Sequence, residues 1–568
     1  LDRAVPPDTF GYRPPIALLE PDTDAAASFL LEPDPERLVA DDRFFVFQDS
    51  DALDRFGAWL EGRADRSLAA AFAVGTPGGA AMLDNARAAV SRVQRAQRTE
   101  LSAYRARVMR EGPRDGDRSA IATGSPGRVL IITSRFSTYI KHAAADLSRA
   151  FERRGWSPRM VIEPDDLSKL SALAYTRAVE EHAPDLVVSI NYPRAHFDDL
   201  LPPHVPVVTW VQDCLPALYS AESAARQQPH DVLIGNIHIN LFTETGYDPD
   251  AAEQCPVVAC PEKFHPGPVD RELREPLECE IAFVTHHAET PEAMFARLID
   301  EANTTGRMRT LLETLGRASI EAAADPVRRG ELHTLHTLTG RIARHAFGSS
   351  QPQHMVTSLA QRFVFPLVDR ALRHQTAHWA AELADEHGWR FHLYGRGWER
   401  HPTLARFARG PLEHGGQLRA SYAAAAVHLH ASNHTLMHQR VFECALSGGL
   451  PACRLVYSPI QEAFAAAMHR CCRELEPRRS VVPGMIDAPG FVVADSPELM
   501  RLTSQCQRLG LPAAGVVHCP PGYADLLTLG RLYERLDHPV WLLGDLAETT
   551  FDSKAGLASL VRDAIERP

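Results

Sequence analysis

Lysine is scarce: only Lys141, Lys169, Lys263 and Lys554 stand among 60 basic residues in a chain of 568. With so much alanine this fits codon bias in a GC-rich genome, and no function follows from it. Positive charge is also in deficit, the formal net charge being −12. A protein that binds nucleic acid by neutralising phosphates presents a basic face, so that class is set aside, a local basic patch excepted. The 10 cysteines are scattered, with an adjacent pair at Cys471-Cys472 and no CxxC spacing. That argues against zinc ribbons and thioredoxin-like motifs and fits reduced thiols in the cytosol. No apolar run is long enough to cross a bilayer and no charged-then-apolar leader opens the chain. A cytoplasmic protein with no membrane span is therefore expected. The chain begins at Leu1 and ends at Pro568 straight after a helical pattern, which leaves room for a longer product.

What is present is apolar material enough for a large core, 45% of the residues, over a length that suggests about three domains. Residues 1–110 read as an accessory α/β and helical module: strand-like 15–21 and 43–47, helical runs near 25–31, 51–60 and 80–109. No glycine-rich phosphate loop accompanies them. After a linker rich in glycine and charge, Arg128 to Thr133 is a continuous apolar run, as in a strand buried on both faces. Alternating helices and strands (158–162, 186–190, 207–211, 232–235, 257–259) then predict an open doubly wound α/β domain over 127–268. Pro261 to Pro276 reads as a hinge, and a second such domain is expected over 277–550. Its rhythm is interrupted by a helical insertion at 290–387 and resumes at 389–395, 426–429, 450–453 and 491–493. A helix over 551–568 closes the chain.

Within the second domain, Gln439-Arg440-Val441-Phe442-Glu443 opens a helix that Gly448-Gly449 stops, after a strand-like Val427 to His430. Arg440 and Glu443 are one helical turn apart and share a face. A helix N-terminus carrying arginine suits an anion, and this spacing suits a diphosphate on Arg440 with ribose hydroxyls on Glu443. A surface ion pair is the alternative. Gly395-Arg396-Gly397-Trp398 ends a strand with two glycines that let backbone approach a phosphate or a base. His428, His430, His434 and His438 form a histidine cluster. It is either a zinc or manganese site, and then a metal-dependent hydrolase, or a set of strand and pocket histidines without a metal. His286 and His287 follow the first strand of this sheet, where a loop faces a cleft. Asn433 and His434 lie near the expected sugar or phosphate. In the first domain, Asp213 and His142 sit after strands and are candidates for the general base toward an acceptor hydroxyl. Asp213 suits a helix cap equally well.

The order of Phe283-Val284, Leu393 to Trp398, Gly410-Pro411-Leu412, Ser421-Tyr422 and Arg440-Val441-Phe442-Glu443 with Gly448-Gly449 resembles glycosyltransferases of the GT-B fold. Within them it is similar to the spore-maturation-protein-like group with its Arg-x-Phe-Glu signature, and Trp210 to Asp213 looks like that group's Trp-x-x-Asp segment. The likeness runs over about 128–290 and 388–500. It implies two Rossmann-like domains and transfer of a sugar from a nucleoside-diphosphate donor, UDP-linked or similar, to a protein or glycan acceptor. No resident metal or other cofactor is expected. It also implies Arg440 on the diphosphate, Glu443 on the ribose, and Gly395, Arg396, Gly397 and Trp398 in the nucleotide pocket, with Asn433, His434, His438 and His286 nearby. Many retaining members carry Glu-x7-Glu; here Thr435 stands eight residues before Glu443, which leaves the stereochemical course open. The helical insertion would serve acceptor selection or a subunit interface of a homo-oligomer. A non-catalytic scaffold that docks protein partners on that insertion is the alternative of another class.

Overall fold

A computed structural model of the chain describes residues 11–20, 42–68, 79–108, 126–324, 332–456, 497–509 and 539–566, with a few positions beside these and short breaks at 138, 214, 216, 238–239, 244, 256–257 and 434. The helical run near 25–31, most of the linker after 110, the strand expected at 491–493 and His434 lie outside the described residues. Two compact units emerge, one of Leu1–Val211 with Glu222–Leu233, the other of Gln212–Ala221 with Ile234–Pro568.

In the first unit β1 (Ile16–Glu20) pairs in parallel with β2 (Phe44–Gln48). Helices α1 (Ala52–Glu61) and α2 (Ala80–Val108) pack on this ribbon through Phe47, Phe56, Leu60, Val90 and Val93. The opening module does not end there. The last turns of α2 carry Tyr104 and Val108 into the core of the sheet that follows, and the Tyr104 hydroxyl donates to Leu200 O at 2.8 Å. Shared apolar burial thus joins the end of α2 to the core of that sheet.

The sheet is the expected parallel one. β3 (Arg128–Ile132) lies between β4 (Ser157–Val161) and β5 (Leu186–Ile190), and β6 (Val207–Val211) pairs with β5. Val129, Leu130 and Ile131 are fully buried, as a strand covered on both faces requires. Helices α3 (Ile140–Arg153) and α4 (Ala172–His182) are the crossovers. β7 (Val232–Gly235) and β8 (Ala252–Gln254) follow. The strand expected at 257–259 begins outside the described residues; just before it, the Gln254 side chain accepts from Ile237 N and Cys255 N donates to Gly235 O.

A buried ion pair ties this unit together. Both nitrogens of the Arg194 fork reach Asp231 at 2.7 Å, both side chains are 8% exposed, and Arg194 also donates to Pro202 O and Val205 O. Removing one partner strands the other's charge, so Arg194→Ala is expected to cost about 3 kcal/mol, read as a lower urea midpoint of this unit.

The second unit holds a five-stranded parallel sheet. β9 (Cys279–Val284) is flanked by β10 (Phe391–Tyr394) on one side and β11 (Ala425–His430) on the other. β12 (Pro451–Arg454) and β13 (Thr550–Phe551) continue past β11. From β9 to β10 the described chain is helical: α5 (Pro291–Ala302), α6 (Gly306–Ala322), α7 (Leu332–Phe347), α8 (Gln353–Leu359), a π-helical turn at Ala360–Val364 and α9 (Phe365–His387). α9 has two duties. Leu367, Val368 and Ala371 join the core of α5–α7, whereas Ala377 to Ala384 pack on the sheet with Phe391, Leu393 and Leu557. Its second half is therefore the crossover helix of the sheet. Beyond it stand α10 (Gly416–Ala424), α11 (Gln439–Leu446), α12 (Pro497–Arg508) and α13 (Lys554–Glu566).

The chain lays β10 on one side of β9 and then crosses to lay β11 on the other. At such a reversal the loops leaving the two strands diverge and open a crevice at the carboxyl ends. Those loops are 285–290 and 431–438.

Candidate functional site

The loop after β9 begins at Thr285, whose carbonyl organises its neighbours. Gly395 has φ +144°, and a Cβ there would lie 1.9 Å from Thr285 O, so glycine is required by close approach as well as by backbone. The Trp398 indole donates to the same carbonyl at 2.7 Å and is fully buried. The expectation that Trp398 lines a nucleotide pocket is therefore corrected: it has no face left for a ligand and anchors the 395–398 turn. Gly397, at φ +88°, continues that turn. Arg396 is exposed, and its N–H donates to His286 Nδ1 at 3.3 Å. That bond assigns His286 the neutral tautomer with its proton on Nε2. Burial, then Arg440 and Arg396, push His286 down to about 4, and burial with Arg373, Arg370 and Arg440 pushes His287 to about 3, against the pull of Asp369.

The loop after β11 leads into α11. His438 is the N-cap, its Nδ1 accepting from Arg440 N at 3.3 Å, and its ring lies 5.2 Å from that of His430. His430 donates from Nε2 to Thr435 O, and His428 from Nε2 to Ser421 O. Among the described residues no group of three or more histidines, cysteines or carboxylates is arranged to hold a metal. Asn433 is buried: its side-chain amide donates to Phe365 O at 3.1 Å and its backbone N–H to Asp369 Oδ1 at 3.2 Å. It clamps the loop to α9.

Arg440 and Glu443 share a helical face but form no ion pair. Glu443 is 1% exposed; its Oε1 accepts from Gln439 at 2.7 Å and His414 at 3.2 Å, and its Oε2 from the Tyr422 hydroxyl at 3.2 Å. Three donors from its own fold therefore occupy the carboxylate assigned to ribose. Arg440 is the opposite case. It is half-buried, and among the described residues its guanidinium has no hydrogen-bond or ion-pair partner. Burial first and then Arg373 lower its pKa, with Tyr422, Glu443 and Asp369 opposing.

The sequence pattern gave no sign of the contribution of α9. Arg373, 9% exposed at its side chain, pairs with Asp369 at 2.6 Å. Arg370 donates to Glu289 O at 2.7 Å, and His374 donates from Nε2 to His287 O at 2.8 Å. Behind His374, His401 donates to its Nδ1 and itself accepts from Leu404 N. Successive turns of one helix thus staple both crevice loops. The Asp369-x3-Arg373 spacing is visible as a helical pair, but it lies in a segment expected to be an appendage.

His142 occupies the first turn of α3, half-buried, and Asp213, exposed, follows β6 with its carbonyl accepting from Leu215 N. Among the described residues no helix starts directly after Asp213. From the loop after β3, Ser134 Oγ and Arg135 N donate to Glu163, which follows β4.

The residues that the structure brings together are those of the second sheet: neutral imidazoles, a glycine turn and an arginine, unpaired among the described residues, that feels the like charge of Arg373. Such a place attracts an anion. No protein-family model matches this chain, and no curated protein does. Among the described residues no helix is long and apolar enough to cross a membrane.

Proposed function

We propose that this protein is a glycosyltransferase, with the second sheet as the domain that holds a nucleoside-diphosphate-sugar donor. The observation that carries the reading is Arg440: a half-buried guanidinium with no hydrogen-bond or ion-pair partner among the described residues, on the helix after β11, at the reversal point of a parallel sheet. The Arg440-Val441-Phe442-Glu443 signature and the Gly395 turn support it, and so does the resemblance to the GT-B fold. Arg440 stabilises the leaving diphosphate, a role in which preorganised positive charge acts without rearrangement. Glu443 meets the ribose only by giving up His414 or Gln439, so donor binding includes an exchange of hydrogen bonds there. The first sheet is the acceptor side of this reading, with His142 and Asp213 as its base candidates, and the acceptor is a protein or a glycan. Calorimetry of the full chain with UDP- and GDP-sugars tests it: saturable heat from one nucleotide series is expected, and no heat from any nucleotide sinks the proposal.

A further inference from the structure

The arginine that pairs with Asp369 has a second role. We propose that Arg373 is an anion-binding residue of the same crevice, and that the group it shares with Arg440 is a diphosphate. The inference rests on the reading of this edge as a donor site and adds a residue from a different element of the fold.

Among the described residues the charges of Arg370, Arg373 and Arg440, with that of the exposed Arg396, bear on the histidines of the β9 loop. The carboxylates that answer these arginines are already divided. Asp369 serves Arg373 at 2.6 Å and accepts Asn433 N at 3.2 Å. Glu289 serves Arg370 at 3.4 Å and is gripped by Arg297 at 2.8 and 2.9 Å. Glu443 is saturated by Gln439, His414 and Tyr422. Arg440 is left over, and like charge from Arg373 bears on it. A buried charge in excess is costly, and an anion between Arg440 and Arg373 removes the cost by serving both.

The number of guanidinium forks sets the size of that anion. The two arginines come from α9 and α11, and α9 is tied to the loop that leads into α11 by the Asn433 N–H on Asp369; each planar fork matches one phosphoryl group. Two adjacent phosphoryl groups satisfy two forks, whereas a single phosphate serves one and leaves the other with Asp369. Arg373 stands two turns beyond the π-helical turn at Ala360–Val364, a distortion frequent at functional sites. Asp369 is then the competitor that holds Arg373 until the diphosphate arrives.

The test is calorimetry on the full chain with inorganic pyrophosphate and with inorganic phosphate. Wild type is expected to prefer pyrophosphate. Arg373→Gln should lose about tenfold in pyrophosphate affinity, about 1.4 kcal/mol, and less for phosphate. Arg373→Lys, which keeps the charge but not the fork, should fall between and carries the test if the glutamine variant does not fold. Asp369→Asn should bind pyrophosphate more tightly. Arg373→Gln that binds pyrophosphate as wild type does, or that loses both anions equally, overturns the inference. So does a wild type with no pyrophosphate preference. The nucleotide-sugar titration decides the donor reading separately: a chain that binds a nucleotide sugar and loses it in Arg440→Ala keeps that reading even where Arg373 proves silent.

Discussion

Acidification from pH 6.5 to about 4 is expected to open the second unit before the first. His374, His392, His428 and His430 are 3–5% exposed, and burial, the largest cause in each, pushes them from 6.5 to about 4, 4, 4 and 3. All four belong to the second unit, and none of the first unit's described histidines is buried. The folded state keeps these rings neutral while the unfolded chain protonates them. Below 6.5 the unfolded state therefore binds more protons, and stability falls with pH until the folded values are reached. A tenfold change in proton affinity corresponds to about 1.4 kcal/mol, so each ring accounts for roughly 3 kcal/mol at full effect, and four together rival a total stability of about 5–15 kcal/mol. His286 keeps an exposed face and is left out of that sum. Glu289, lowered chiefly by its hydrogen bond with Arg297, loses its contribution later, below its ordinary 4.5. Hydrogen exchange of the full chain read segment by segment between pH 7 and 4 checks this. Parallel opening of both units, or earlier opening of the first, would contradict it.

Those histidines also show where the sequence was legible. Apolar runs such as Val129 to Ile132 and Cys279 to Val284 announce buried parallel strands, and the carboxyl ends of the strands, with Gly395 and Arg440, could be placed from rhythm alone. The partners of the site residues could not. His428 and His430 could be read either as metal ligands or as strand histidines, because spacing reveals which side chains share a face, but not that Ser421 O and Thr435 O accept their protons. Trp398 sat beside a glycine turn in sequence, yet the carbonyl of Thr285, more than a hundred residues away, draws its indole inside. Arg373, Asp369 and His374 were hidden for the same reason: the pairing of α9 with two distant loops is tertiary, and helical periodicity carries no trace of it. The ion pair suggested for Arg440 and Glu443 failed because Gln439, His414 and Tyr422 reach the carboxylate first.

Arg440→Ala is expected to abolish donor binding while leaving the fold as stable as before or more so. A structural arginine behaves in the reverse way: Arg194 has four hydrogen bonds and a buried carboxylate, and its loss strands Asp231. Arg440 has no such partner to strand. Its desolvation and the like charge of Arg373 weigh against the folded state. The α11 cap uses Arg440 N and the Glu443 cluster uses other donors, so both survive truncation of the side chain. In the liganded state the same guanidinium meets the diphosphate in a site already organised, and such preorganised donors contribute about 10²–10³ in rate. A loss of about 10³ in nucleotide-sugar affinity, about 4 kcal/mol, is expected by calorimetry. An unchanged or raised melting temperature should accompany it, as when a functional residue is held against stability. A third readout tests the field itself. Arg440 helps to depress His286 and His287, so both rings should titrate at higher pH in the variant, followed by NMR. A variant that unfolds, or that binds the nucleotide sugar normally, would place Arg440 among the structural residues and remove the observation on which the donor site rests.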